Sequence, residues 1–291
     1  MNSPEIPIRA VVSTLLAALM FASMGVAVRY SSAGLSNEMT VFLRNGFGLL
    51  FLSPLLVTRG FGYFSTHRPV AHIVRALSGL AAMYCFFYAI AHLQLAEAVL
   101  LNFSSPLFTA IIALIWLGEK ASTKLVFAII IGFIGVCFVL KPGADIFKGA
   151  AWVGLISAVF AAFAMVTIRD LSSTEPTMRI VFYFSITSTL VSAIPLLWSW
   201  HTPTWQTALA MSFAGLSATI GQFLLTYSYS LAPAAYIGPY SYSTVIFAAI
   251  YGWIFWAEAP DSYTLTGAIL IIVAGIITLQ RRSMPPLTEP D

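Results

Sequence analysis

Charge is what this chain has least of. Only 9% of its 291 residues are Asp, Glu, Lys or Arg, against 59% hydrophobic residues and a mean hydropathy of +0.89. A water-soluble domain carries about 25% charged residues, so a soluble fold is excluded. The formal net charge of +3 is small and scattered, which argues against a nucleic-acid surface. Cysteine is scarce too. Cys85 and Cys137 lie in different apolar stretches and read as small buried hydrophobes, with no disulfide or metal-ligand pattern. Acids are few and sit at edges: Glu5, Glu38, Glu97, Glu119, Asp145, Asp170, Glu175, Glu258, Asp261, Glu289 and Asp291 all avoid the middle of an apolar segment. Proton-coupled carriers commonly hold their proton on a buried carboxylate or histidine, so no central carboxylate relay is expected. His72 and His92 stand near segment ends, which leaves uniport, exchange or coupling through an end-located group. Neither HExxH nor Gly-x-Gly-Asp occurs. Gly215-Leu216-Ser217-Ala218 fits a loose Gly-x-Ser-x pattern, and only His72 and His92 are within range as its base, so an intramembrane enzyme is the remote alternative. No cofactor and no metal are expected.

What is present is long hydrophobic runs. A helix needs about 20 mostly apolar residues to cross the hydrocarbon core. Ten segments qualify: 8–29, 39–58, 70–91, 95–117, 121–140, 150–169, 178–200, 205–228, 233–256 and 263–280. They predict an all-α integral membrane protein of ten transmembrane helices. The stretch 8–28 is too long for the core of a signal peptide and has no small-residue cleavage site. The proline-bearing tail 281–291 reads as a disordered cytoplasmic extension. Basic residues set the orientation. Arg9, Arg59, Arg68, Arg75, Lys120, Lys124, Arg169, Arg179, Arg281 and Arg282 fall on the side of the N-terminus, whereas Arg29, Lys141 and Lys148 fall on the other. Both termini are therefore expected in the cytoplasm of a bacterial cell, with the chain in its inner membrane.

The chain says nearly the same thing twice. ALMFASMGVAVRYSS from Ala18 returns as AVFAAFAMVTIRDLSS from Ala158, with Arg29 on Arg169 at a shift of 140. PLFTAIIALIWLGEK from Pro106 answers VIFAAIYGWIFWAEA from Val245, with Glu119 on Glu258, and Pro54-Leu55-Leu56 answers Pro195-Leu196-Leu197. The first repeat covers 8–140 and the second 150–280, each with five spans. An odd span number turns the second copy upside down, and inverted repeats of this kind mark alternating-access transporters.

These residues resemble a known family. FYAIAHLQLAEAVLLNFSSPLFTAIIALIWLGEK (Phe87 to Lys120), GFIGVCFVLKPG (Gly132 to Gly143) and AAIYGWIFWAEAPDSYTLTGAILIIVAGI (Ala248 to Ile276) are similar to the ten-helix drug/metabolite transporter superfamily, in the branch built from two EamA domains. The likeness covers nearly the whole chain, and the Pro-Leu-Phe…Leu-Gly-Glu pattern is its most specific element. HRPVAHIVRALSG (His67 to Gly79) looks most like the bacterial branch that holds S-adenosylmethionine, riboflavin and metallophore transporters. The resemblance implies a carrier of a small organic metabolite: an amino acid or derivative, a flavin, an adenosyl compound or a metallophore. Family habit favours export, and an uptake permease of the S-adenosylmethionine or riboflavin type is the alternative. The working unit is expected to be a monomer or homodimer. One departure stands out. The family carries a proline in the ninth helix where Pro106 stands in the fourth; here Val245 or Tyr242 is aligned, and Pro239 is out of register. The two halves are thus expected to differ in hinge geometry.

In such a fold the substrate sits near the midplane, between the repeats. Asn102, Ser105, Pro106 and Thr109 share one face of the fourth span, and Pro106 frees the carbonyl of Asn102. Tyr236, Tyr240, Ser243 and Thr244 share a face of the ninth. Tyr84 and Tyr88 on the third, and Thr219, Gln222 and Thr226 on the eighth, extend the same polar wall. The expected cavity is formed by spans three, four, eight and nine. The bland alternatives are a packing kink and hydroxyl glue between helices. Arg44 and Arg75 each lie about five residues inside a span; a charge there costs about 3 kcal/mol, so it snorkels, pairs or works. They are candidates for clamping a carboxylate or phosphate. The simpler reading is structural, with Arg44 paired to Glu97 and Arg75 an anchor beside Arg68. Glu119 and Glu258 close the fourth and ninth helices at opposite faces and read as structural or gating groups.

Overall fold

The computed structural model describes residues 7–59, 65–116, 123–140, 149–171, 174–231 and 240–280. Among them there are helices and no strands, as hydrocarbon demands: a helix satisfies its own backbone where water is absent. Twelve helical segments run in order: α1 (Ile8–Ser32), α2 (Asn37–Arg59), α3 (Pro69–His92), α4 (Leu95–Asn102), α5 (Ser105–Trp116), α6 (Thr123–Leu140), α7 (Gly149–Leu171), α8 (Thr177–Ala193), α9 (Leu196–Ser199), α10 (Trp205–Leu231), α11 (Ser243–Trp256) and α12 (Ser262–Gln280). Taking α4 with α5 and α8 with α9 gives ten spans. Four helices, 8–32, 69–92, 149–168 and 205–225, are long and apolar enough to cross a membrane unaided.

Two of the interruptions fall at proline. Pro106 has no N–H to donate, and the chain breaks between Asn102 and Ser105, where the Ser104 hydroxyl donates to Leu101 O. Pro195 separates α8 from α9 in the same way, whereas Pro54 stays inside α2. The ninth span breaks as well, despite having no proline in register. Tyr242 forms a turn, and the hydroxyls of Ser243 and Thr244 bond back to the carbonyls of Tyr240 and Ser241 at 2.6 and 2.7 Å. The fourth and ninth spans therefore share a break and differ in its chemistry. The two breaks also touch, with Phe103 and Tyr242 ring centroids 5.6 Å apart.

Helix pairing follows an approximate two-fold axis. The pairing of α1 with α10 is mirrored by that of α7 with α3, and α2 with α10 is mirrored by α8 with α3. The pairs α2–α8 and α6–α12 lie on the axis itself. Hydroxyls join the halves: Ser228 donates to Ala10 O at 2.8 Å, and Ser23 meets Tyr251 OH at 3.1 Å. Helices α6 and α12 approach through glycine. A Cβ on Gly135 would stand 2.9 Å from Gly267 O, and one on Gly267 would stand 2.7 Å from Gly135 O, so neither position has room for a side chain. Gly267→Val should lower stability by about 1–3 kcal/mol, the usual cost of overpacking, read as earlier loss of the monodisperse peak on heating in detergent; an unchanged melting curve would mean that the two helices can separate freely.

Candidate functional site

A cavity of about 410 Å³ lies where α2 and α3 of the first half face α8 and α10 of the second. Its walls mix apolar residues (Leu52, Phe184, Phe223) with Ser185, Thr219, Gln222 and Tyr227, and Arg44, Asn45 and Arg75 also face it. The size suits a small metabolite, and the position is the interface between the repeats. Glycine brings the helices close enough to enclose it. Gly215 of α10 lies against Phe47 and Gly48 of α2, with Gly48 N only 2.9 Å from where a Cβ would be.

The two arginines are not consumed by partners. Arg44 Nη1 donates to Asn45 Oδ1 at 3.1 Å, and neither arginine forms an ion pair with a described residue. Arg75 lays its guanidinium carbon 4.3 Å from the centre of the Phe184 ring. The expected Arg44–Glu97 pair does not form. Glu97 instead accepts a bond from Thr264 of α12 at 3.3 Å, because its face of α4 turns toward α11 and α12.

Each end of the molecule carries a cluster of paired charges. On the side away from the N-terminus, Arg29 of α1 pairs with Glu258 after α11, donates to Leu93 O and lies 4.9 Å from the Trp256 ring. Glu258 also accepts from Leu95 N at 3.1 Å, tying the fourth span to the ninth. The tight return that brings Glu258 back over the helix end uses Ala257 in the left-handed region at φ 54°. On the N-terminal side, Glu175 is buried between the halves. It accepts from Thr66 and from Arg179, and His72 Nε2 stands 3.8 Å away while stacking on Tyr183. Beside it Arg68 pairs with Asp170 and donates to Thr174 Oγ1 at 3.2 Å. Burial alone would raise the Glu175 carboxyl; the hydrogen bonds from Thr66 and Arg179 outweigh it and hold the group below the ordinary 4.5.

Of the residues singled out in the sequence, Arg44, Arg75 and Gln222, with Thr219, come together in the cavity. The polar face of the fourth span does not line it. Asn102 donates to Ser157 of α7 at 3.1 Å, and Thr109 bonds back to Ser105 O at 2.8 Å; both are helix-joining or backbone bonds. Tyr88 stacks on His92 at 4.1 Å near a span end, Tyr240 is exposed, and the Tyr84 hydroxyl is buried without a partner outside the cavity wall. Tyr236 and Glu119 lie outside the described residues. Asn45, Phe184 and Glu175 carry the site without having been singled out. For Asn45 the one available signal was adjacency to Arg44.

Comparison with known proteins matches this architecture. The model described as EamA-like transporter family fits residues 8–141 and 148–280. The chain is 36% identical over 272 residues to a pseudopaline exporter of Pseudomonas aeruginosa strain UCBPP-PA14, covering 91% of this chain and 94% of the relative. It is 28% identical over 265 residues to an S-adenosylmethionine uptake transporter of Rickettsia bellii, covering 91% of each. It is 27% identical over 289 residues to a riboflavin transporter of Rhizobium johnstonii, covering 96% of each. A solved crystal structure shares the fold with a TM-score of 0.66 at 19% identity, covering 94% of this chain and 99% of that one.

The Glu175 cluster has a testable pH signature. A carboxyl held below its ordinary value stabilises the fold fully above 4.5, and the contribution fades as pH falls through the lower folded value. The melting-temperature gap between wild type and Glu175→Gln should thus be widest near neutrality and close in acid; a gap that is constant with pH would show that Glu175 acts by shape alone.

Proposed function

The chain belongs to the EamA-like transporter family, and on that premise we propose that it is an inner-membrane carrier that exports a small organic metabolite by alternating access. The observation that carries this reading is the central cavity, bounded by two spans from each half and lying between two charged end clusters. Rocking one half against the other would open the clusters alternately, while α2, α3, α8 and α10 keep the solute between them. Cross-half packing through Gly48 and Gly215 supplies the close surface about which such a motion turns. Export is favoured because the relative at 36% identity is a pseudopaline exporter. The relatives named for S-adenosylmethionine uptake favour the reverse direction as the second reading. The excess of basic residues on the N-terminal side supports cytoplasmic termini. One chain encloses the cavity, so a monomer suffices as the transporting unit. The matching family and the named relatives are transporters, which supports a transport role over a catalytic one.

Flux into proteoliposomes tests the reading. Wild type should give saturable transport of at least one compound from a panel of amino acids and their N-carboxyalkyl derivatives, riboflavin and S-adenosylmethionine. Gly48→Leu should abolish it while the protein remains monodisperse, because a Cβ built there makes only ordinary contact with Thr219 and Arg44, at 3.8 and 3.9 Å, and the longer side chain would fill the cavity that Gly48 lines. Undiminished flux in that variant would place the solute path elsewhere.

A further inference from the structure

Arg44 and Arg75 put two strong bases into one cavity whose walls, among the described residues, carry no carboxylate. They reach it from opposite faces of the bilayer. Arg44 is seven residues into α2, and Arg75 is six residues into the antiparallel α3. At 1.5 Å per residue each Cα is therefore about 10 Å inside its own end of a core roughly 30 Å thick. Both side chains extend further inward. Arg44 Nη1 lies near Gly48, one turn deeper, at 3.9 Å from where a Cβ would be. Arg75 folds along α3 over Gly79, where any Cβ would collide with its Nη1 and come within 3.0 Å of Phe184. The absence of a side chain at Gly79 is what lets the second guanidinium lie there.

The polar atoms left over around this cavity are all of one kind. Arg44 Nε, Asn45 Nδ2, Arg75 Nε and Arg75 Nη1 are buried and have no hydrogen-bond partner among the described residues. Asn45 Oδ1 already accepts from Arg44, which fixes the amide with its NH₂ unused. Each of the four is a donor, so what completes the site is an acceptor-rich group. Every unpaired guanidinium at this depth costs about 3 kcal/mol or more, and two in one cavity repel each other. Structure alone does not offset that cost, because neither arginine pairs with a described acid.

From these observations we infer that the site takes a small organic dianion, with one acidic group held by Arg44 and Asn45, the other by Arg75, and the apolar body against Phe184 and Phe223. Two groups are favoured over one because the donors come from two helices, and a single carboxylate fills one guanidinium fork. A neutral flavin would leave both charges uncompensated, and a sulfonium such as S-adenosylmethionine would add positive charge to a cavity that already has it. The inference rests on the carrier reading for transport, but not for binding.

Equilibrium binding to the purified protein in nanodiscs tests it, with 2-phenylsuccinate, its monoamide and phenyl phosphate as probes. The diacid should bind at least about tenfold more tightly than the monoamide. Arg44→Gln and Arg75→Gln should each erase that preference without lowering the melting temperature. Arg75→Lys, which keeps the charge and loses the fork, should retain the preference at reduced affinity. Preference for phenyl phosphate over the diacid would overturn the two-group clamp, because its charge sits on one phosphoryl group. Equal binding of diacid and monoamide, no binding of any anion, or a preference that survives in both glutamine variants would overturn the inference. Binding of the diacid without flux of any compound would sink the carrier reading alone. Flux of riboflavin unaffected by either glutamine variant would sink the dianion clamp alone.

Discussion

Hydrocarbon offers no hydrogen bonds, and this molecule is organised by that constraint. At each described break a hydroxyl bonds a nearby backbone carbonyl: Ser104 at the fourth span, Ser199 at the seventh, Ser243 and Thr244 at the ninth. Other hydroxyls fasten helix to helix, as Ser228 does on α1. Polar side chains in these spans are thus mostly consumed by the scaffold. Among the buried side-chain atoms left without a hydrogen-bond partner, Arg44 Nε, Asn45 Nδ2, Arg75 Nε and Arg75 Nη1 stand apart: all four are donors and they group around one cavity.

The scaffold is symmetric and the site is not. Helix pairings repeat about the two-fold axis, and the cavity lies across it between α2 and α8. With the shift of 140, Arg44 answers Phe184. The first half therefore supplies charge, whereas the second supplies an aromatic ring and a close backbone approach. The ring at the symmetry-related position is the one over which Arg75 lies. On the proposed carrier reading, inverted repeats would give the protein two equivalent ends to open, and divergence at these positions would give it one polarity of cargo.

Much of this was legible in the sequence. The ten spans, the break at Pro106 and the place of Glu258 at a helix end follow from hydropathy, proline chemistry and the repeat. Arg44 and Arg75 stood out because charge inside a span is costly, although their pairing state was misjudged for Arg44. What could not be read was azimuth. These helices are apolar nearly all round, so periodicity does not say which face turns inward; Asn102 and Thr109 share a face that meets α7 and the helix's own backbone instead of solute. The break at Tyr242 escaped for a related reason, since a tyrosine between hydroxyls carries no turn signal of the strength that proline has. Glu175 looked like a loop acid, and only folding brings Thr66, His72 and Arg179 around it.

For the proposed alternation to work, the end clusters and the cavity must be matched in energy. A hydrogen bond to a charged group contributes about 1.5–3 kcal/mol, so a cluster built on two or three of them is held by a few kcal/mol, more if its charges stay dry when it opens. Micromolar binding of a solute is worth about 8 kcal/mol. A solute that binds the two conformations even modestly unequally can therefore decide which cluster is intact, and no buried proton relay is needed to move the balance. Larger ionic networks at either end would exceed what a small molecule can shift, and apolar ends would hold neither state. Arg29 with Glu258 on one side, and Glu175 with Arg179 on the other, sit in the range between.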